Sequence, residues 1–266
     1  MGALCDLAHR KWGLSIDENK QVIVENRIQE LRHRHPVESI KSLVADIDRG
    51  ESPEMELALF DVLSTNHTSF FREDIHYDLL TEEILKPARS RRDGVRLWSA
   101  GCSRGCEPFT LSILLHEILE KPQQRGDRIL ATDLSTGALR AARLGQYSKQ
   151  EVANVNERRL AAHFRKIDHR GQVLYKLQDQ IRKPVSFSML NLLDKWPMKG
   201  PFDAILCRNV MIYFDRPTRM GLAQRFLSLV RPGGLIFVGT SETLTDYGLA
   251  VDQVCVGAYR KHGGTQ

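Results

Sequence analysis

The 266-residue chain lacks the features that mark several large protein classes. No apolar run approaches the roughly 20 residues that a membrane-spanning helix needs. The longest runs, such as LSILL and LIFVG, have the length of core segments. The opening residues MGALCDLAHRKWG contain no apolar stretch of the secretory kind. Cysteine is sparse, and Cys5, Cys102, Cys106, Cys207 and Cys255 form an odd, scattered set. That set argues against a disulfide framework and predicts a reducing, cytoplasmic setting. Cys102 and Cys106 stand four apart, but no further ligands recur at a matching spacing, so no metal is expected. Internal repeats and low-complexity tracts are missing too. With 42% hydrophobic and 27% charged residues, the composition excludes disordered and collagen-like chains.

What is present divides the chain in two. Residues 1–95 hold 13 Lys/Arg and 18 Asp/Glu, and residues 96–266 hold 25 and 15. A balance of −5 against +10 predicts two units with different partners. The first 85 residues read as helical. Over 17–34, Val22, Ile23, Val24, Ile28 and Leu31 fall largely at helical spacing, with Asp17 as a cap and Pro36 as a stop. A second helix over 38–49 carries Ile40, Leu43, Val44 and Ile47, and Ser52-Pro53 opens a third. Another amphipathic segment runs from about Asp74 to Leu85. The basic stretch KPARSRRDG within 86–95 reads as a linker.

Beyond the linker, strands alternate with helices. VRLWSAG, RILATDLS, VSFSMLNLL, FDAILCRNVM and GGLIFVGTS read as strands. FTLSILLHEILE, STGALRAARLG and PTRMGLAQRFLSLVR read as helices. This order predicts an α/β fold with a largely parallel sheet and helices on both faces. Residues 158–184 interrupt it and read as a small β-hairpin insertion turning at Gly171.

Ligands of such sheets sit at the carboxyl ends of the strands. The first such loop, SAGCSRGCEP, has Gly101 and Gly105 to let the backbone approach a ligand, yet it is neither a GxGxxG fingerprint nor a P-loop. The second strand ends at Asp133, whose carboxylate can accept hydrogen bonds from both hydroxyls of a ribose. A glycine turn with this acid points to a nucleoside ligand without a pyrophosphate, such as S-adenosyl-L-methionine. The alternative is that Asp133 caps the helix that follows.

Five motifs in order give the sequence a specific resemblance. NHTSFFRE at 66–73, WSAGCSRGCEP, ATDLS, LNLLDKWP and FDAILCRNVMIYF, continued by RPGGLIFVGTSE, resemble the CheR family of methyltransferases that esterify glutamates on bacterial chemoreceptors. The resemblance implies an N-terminal helical domain (1–85), a linker (86–95) and a Rossmann-like class I methyltransferase domain (96–266) with a small antiparallel β insertion. It implies S-adenosyl-L-methionine as cofactor, leaving S-adenosyl-L-homocysteine. Asn66, Thr68 and Arg72 resemble residues that reach over the cofactor, and Glu107 and Asp133 its acidic ligands. Gly101 lies in the first glycine turn. Asn191 and Leu192 resemble the pair flanking the adenine, and Arg208 and Asn209 lie near the methionine end. Arg72 and Tyr213 are the residues expected to act in transfer, Tyr213 beside the methyl group. Cys106 stands where relatives carry an acid, Arg104 where a small hydroxyl residue is common, and Phe109 where a tyrosine is usual.

A free glutamate, with a pKa of about 4.3, is already ionised at neutral pH, so esterifying it needs no general base. The basic residues of 158–183 and the Arg32–His35 cluster suit an acidic helical bundle such as a receptor's cytoplasmic domain, with its C-terminal tail peptide as a further partner. The insertion has few aromatics and no RNA-binding pattern, so nucleic acid is not expected. Membrane insertion is not expected either, and a monomer is. Two other readings stay open: a methyltransferase for RNA or small molecules, and a cofactor-binding module without catalysis.

Overall fold

The computed structural model describes residues 2–15, 21–35, 37–64, 67–119 and 122–263. Asp17, Pro36 and Asn66 lie outside them. Four helices come first: α1 (Gly2–Trp12), α2 (Gln21–Arg34), α3 (Ile40–Asp48) and α4 (Pro53–Leu63). Ser39 caps α3 by accepting from the Ser42 amide, and Pro53 opens α4, where a missing N–H costs nothing. Their apolar stripes meet in a core of their own, including Leu4, Leu7, Ile28, Leu31, Leu43, Ile47 and Leu59. Helix α1 is not among the expected elements. Next come α5 (Ile75–Leu80), a wider turn over Thr81–Leu85, and α6 (Lys86–Ala88). The helical path thus runs into the segment read as a linker, because Leu85 and Ala88 are drawn into the core beside the sheet.

The sheet is built from β1 (Arg96–Ala100), β2 (Arg128–Asp133), β6 (Val185–Met189), β7 (Phe202–Cys207), β8 (Val230–Val238), β9 (Val251–Cys255) and β10 (Ala258–Lys261). Its order is β6-β2-β1-β7-β8-β10-β9. The first five strands are parallel, and β10 and β9 add an antiparallel edge that no expectation covered. Between them run α7 (Cys106–Ile118), α8 (Pro122–Arg125), α9 (Thr136–Leu144) and α12 (Arg216–Leu229). Strand periodicity sorts side chains onto two faces. Leu97, Leu206 and Phe237 pack with α7 and with Phe70, Tyr77 and Leu80 of the preceding helical segment. Trp98, Ile205 and Ile236 pack with Leu222 and Phe226 of α12. Burying each such side chain stabilises the fold by about 1.5–3 kcal/mol. The fold class is therefore the expected one: N-terminal helices followed by a Rossmann-like α/β sheet.

The insertion is a three-stranded antiparallel sheet. β4 (Phe164–His169) and β5 (Gln172–Leu177) form the hairpin, turning at Arg170-Gly171, and β3 (Gln146–Tyr147) adds a third strand. Helices α10 (Glu157–His163) and α11 (Asp179–Arg182) flank it. Among the described residues no helix is long and apolar enough to cross a membrane.

Candidate functional site

The carboxyl ends of β1, β2, β6 and β7 open into one cleft, whose other walls come from α1, α4 and the 67–77 segment. It encloses about 1060 Å³ of space that is partly open to solvent.

Strand β1 delivers the first loop. Gly101 has φ +84°, and a Cβ there would collide with Val210, so only glycine fits between the β1 and β7 loops. At the end of β2, one carboxylate oxygen of Asp133 accepts from the Ser103 amide (2.7 Å) and the other from the Ser135 amide (2.8 Å). Ser135, rather than Asp133, caps α9 by accepting from the Ala138 amide. Asp133 thus does not serve as the cap. Burial pushes its carboxyl up, and the two amide bonds oppose that rise. Its four lone-pair sites exceed its two amide partners, so it can still accept from a ligand.

Glu107, in the first turn of α7, accepts from Ser99 Oγ (2.7 Å) and from Arg208 Nη1 (3.2 Å). Burial pushes its carboxyl up against the pull of Arg208. Arg208 follows β7 with its side chain only 3% exposed. It also donates to Tyr77 Oη (2.9 Å), to Glu73 Oε2 (3.0 Å) and to the Arg72 carbonyl. Burial would raise the Glu73 carboxyl, but Arg208 and Asn209 outweigh it and hold the group low. Burial raises the Tyr77 phenol. Asn209 has φ +58°, and its Nδ2 donates to Glu73 Oε1 (3.3 Å). Glu242 holds this turn from behind, accepting from the amides of Asn209 (2.8 Å), Ile212 (2.9 Å) and Gly239.

The other expected residues surround the same space. Asn191 Nδ2 donates to the Lys11 carbonyl (2.9 Å), and Leu192 is buried beside it. Thr68 lines the cleft and bonds the buried Cys106, the position where an acid was expected. Arg104 points to Glu151 at 2.7 Å, and its carbonyl accepts from Tyr147 Oη. Both departures are thus absorbed into local packing. Arg72 is 42% exposed at the rim, 3.8 Å from Glu73, and donates to the His67 carbonyl at 3.4 Å. Tyr213 lines the same cleft, in a short turn over Met211–Tyr213. Of the expected residues only Asn66 is outside the description. Glu73, Tyr77 and Glu242 are residues of the site that the sequence reading did not place in it. Glu73 and Glu242 lie inside quoted motifs, which was their only signal. Among the described residues no group of His, Cys, Asp and Glu could hold a metal ion.

The donor set fits the expected cofactor. Leu134, Leu190, Leu192 and Phe214 give apolar walls for a base, Asp133 offers acceptors for ribose hydroxyls, and a rim guanidinium is available for a carboxylate.

A family model described as "CheR methyltransferase, SAM binding domain" matches residues 66–255. The chain is 34% identical over 254 residues to a chemotaxis protein methyltransferase of Borreliella burgdorferi, covering 92% of this chain and 88% of that protein. It is 32% identical over 244 residues to a chemotaxis protein methyltransferase of Salmonella typhimurium, covering 91% and 83%. Chemotaxis protein methyltransferase 1 of Pseudomonas aeruginosa is 34% identical over 243 residues, covering 88% and 86%. A match over 190 residues that takes in every wall of the cleft built from the sheet shows that the chain belongs to the CheR methyltransferase family.

Proposed function

We propose that the protein transfers a methyl group from S-adenosyl-L-methionine to glutamate side chains of a chemoreceptor's cytoplasmic helices, forming methyl esters. The observation that carries this reading is the cleft at the strand ends, which Asp133, the apolar Leu134, Leu190 and Leu192, and Arg72 line together. Asn191 and Leu192 would flank the adenine, Asp133 the ribose, and Asn66, Thr68, Arg72 and Glu107 the methionyl end. Gly101 gives the backbone room. The bound cofactor supplies an electrophilic methyl on a sulfonium.

The chain's own contribution is orientation and water exclusion. The substrate carboxylate is ionised at neutral pH, with a pKa of about 4.3, so no residue has to remove a proton. Reactant charges of opposite sign cancel as the methyl moves, which favours a site stripped of water. Tyr213 would orient the incoming carboxylate through its hydroxyl. Arg208 and Asn209 keep the β7 loop in register beneath it, held by Glu73 and Glu242. Residues 1–85 and 96–266 would act as two units joined through 86–95, with the 67–85 stretch seated on the sheet's core. The basic excess of the second unit suits an acidic helical bundle, and the exposed β4–β5 hairpin suits a receptor tail peptide. A cytoplasmic monomer is the form proposed.

The test uses methyl-labelled cofactor with two receptor cytoplasmic fragments, one native and one with its glutamates changed to glutamine. Label entering only the native fragment supports the reading. Label entering both, or entering RNA instead, overturns it.

A further inference from the structure

One wall of the cleft comes from the end of α1, a helix that the sequence reading did not anticipate. Trp12 and Leu14 line the cleft. Trp12 is 3% exposed and meets Phe60 edge to face at 5.4 Å between ring centres. The same short segment is fastened to both ends of the site. The Lys11 carbonyl accepts from Asn191 Nδ2 at 2.9 Å. The Ser15 amide donates to the Tyr213 carbonyl at 2.8 Å. Between these two bonds Gly13 has φ +70°, and a Cβ there would lie 2.9 Å from Phe214 Cδ1 and 3.3 Å from Leu193 Cδ1. The backbone therefore lies directly on the loops it joins.

That placement answers a geometric need. Asn191 follows β6 and Tyr213 follows β7, and the order β6-β2-β1-β7 puts three strand spacings between them. At about 4.8 Å per spacing the two loops leave the sheet about 14 Å apart. The sheet's own ladder does not fix one loop against the other, whereas a segment crossing the mouth does.

We propose that Trp12–Ser15 is a positioning strap, with Trp12 and Leu14 closing the apolar wall over the cofactor's nucleoside and the Ser15 amide setting the height of Tyr213 against it. This rests on the reading of the cleft as the S-adenosyl-L-methionine site. The strap couples the adenine end to the transfer end: a change at Trp12 acts on cofactor affinity, and a change at Ser15 acts on turnover.

The test measures binding of S-adenosyl-L-homocysteine to the full chain by calorimetry, together with receptor methylation. Trp12→Ala is expected to raise Kd by about five- to a hundredfold, the range for removing an aromatic that faces a base. Trp12→Phe, which keeps an aromatic ring in the wall, should restore the affinity to within about threefold. Ser15→Pro, which removes the amide donor, should lower kcat by about tenfold or more at nearly unchanged Kd. A merely structural role would move Kd, kcat and Tm together. Wild-type affinity in Trp12→Ala, or wild-type kcat in Ser15→Pro, overturns the strap. Asp133→Ala is the companion variant: if it loses binding while Trp12→Ala does not, the strap fails and the site reading stands. If Asp133→Ala also binds normally, the site reading itself fails.

Discussion

Removing Arg208 should expose how much of the site rests on one cation. Its buried guanidinium lies 3.0 Å from Glu73, 3.2 Å from Glu107 and 2.9 Å from Tyr77 Oη, so two carboxylates share one buried cation, and the rim Arg72 lies 3.8 Å from Glu73. Arg208→Leu leaves both acids without it. Breaking a buried pair in this way costs about 3–5 kcal/mol, because an uncompensated charge stays in the interior. Adding Glu73→Gln removes one of the surplus charges. The double variant should therefore be less destabilised than the sum of the singles, by about 1–3 kcal/mol. The sign with pH also follows. Burial already pushes Glu107 above its ordinary value of 4.5 with the cation present, and removing the cation takes away the main pull that lowers both acids. An acid whose folded pKa is raised is better folded when protonated, so the single variant should recover stability as pH falls from neutral toward that value. Urea unfolding followed by far-ultraviolet circular dichroism measures each quantity through the fitted free energy in water. A cost under about 1 kcal/mol for Arg208→Leu would refute the clamp. Strict additivity with Glu73→Gln would do the same.

Three other perturbations have definite outcomes. Asp133→Ala should abolish binding of S-adenosyl-L-homocysteine by calorimetry and cost about 1–3 kcal/mol of stability, since the Ser103 and Ser135 amides lose their acceptor. Burial would raise Glu117, but hydrogen bonds from His163 and Arg159 outweigh it and pull the carboxyl down to about 2. Its contribution, about 1–3 kcal/mol after screening, is complete above the unfolded value of 4.5 and is lost as pH falls toward 2, so Glu117→Gln should flatten that limb of the stability profile. Gly101→Ala forces a side chain into left-handed backbone against Val210, and should lower stability by about 1–3 kcal/mol and weaken cofactor binding in the same calorimetric assay.

The site was legible where strand pattern and loop chemistry coincide. RLWSA, RILATD and FDAILC are short runs ending in polar loops, so their pattern places Gly101, Asp133 and Arg208 at one end of the sheet. The Ser135 cap and the Gly171 turn are local chemistry and were equally plain. What escaped is made by distant parts of the chain. Helix α1 has Leu4, Leu7, Ala8 and Trp12 on one face, but Arg10 and Lys11 dilute the signal, and its partners lie in α3 and in the loops after β6 and β7. Strands β9 and β10 are short and carry Asp252 and Gln253, so only the finished edge of the sheet selects them. Glu73 meets Arg208 across 135 residues, and no spacing rule reaches that far.

The most direct measurement of the central claim is alkali-released methanol. The protein is incubated with methyl-labelled S-adenosyl-L-methionine and a receptor cytoplasmic fragment, and the washed fragment is then made basic. Carboxyl methyl esters hydrolyse under these conditions, whereas methylated amines and amides do not. The account predicts volatile label that is released from the fragment, absent with Asp133→Ala, and matched in amount to the label incorporated. Label that stays on the fragment in alkali, or no transfer to the fragment at all, would contradict it.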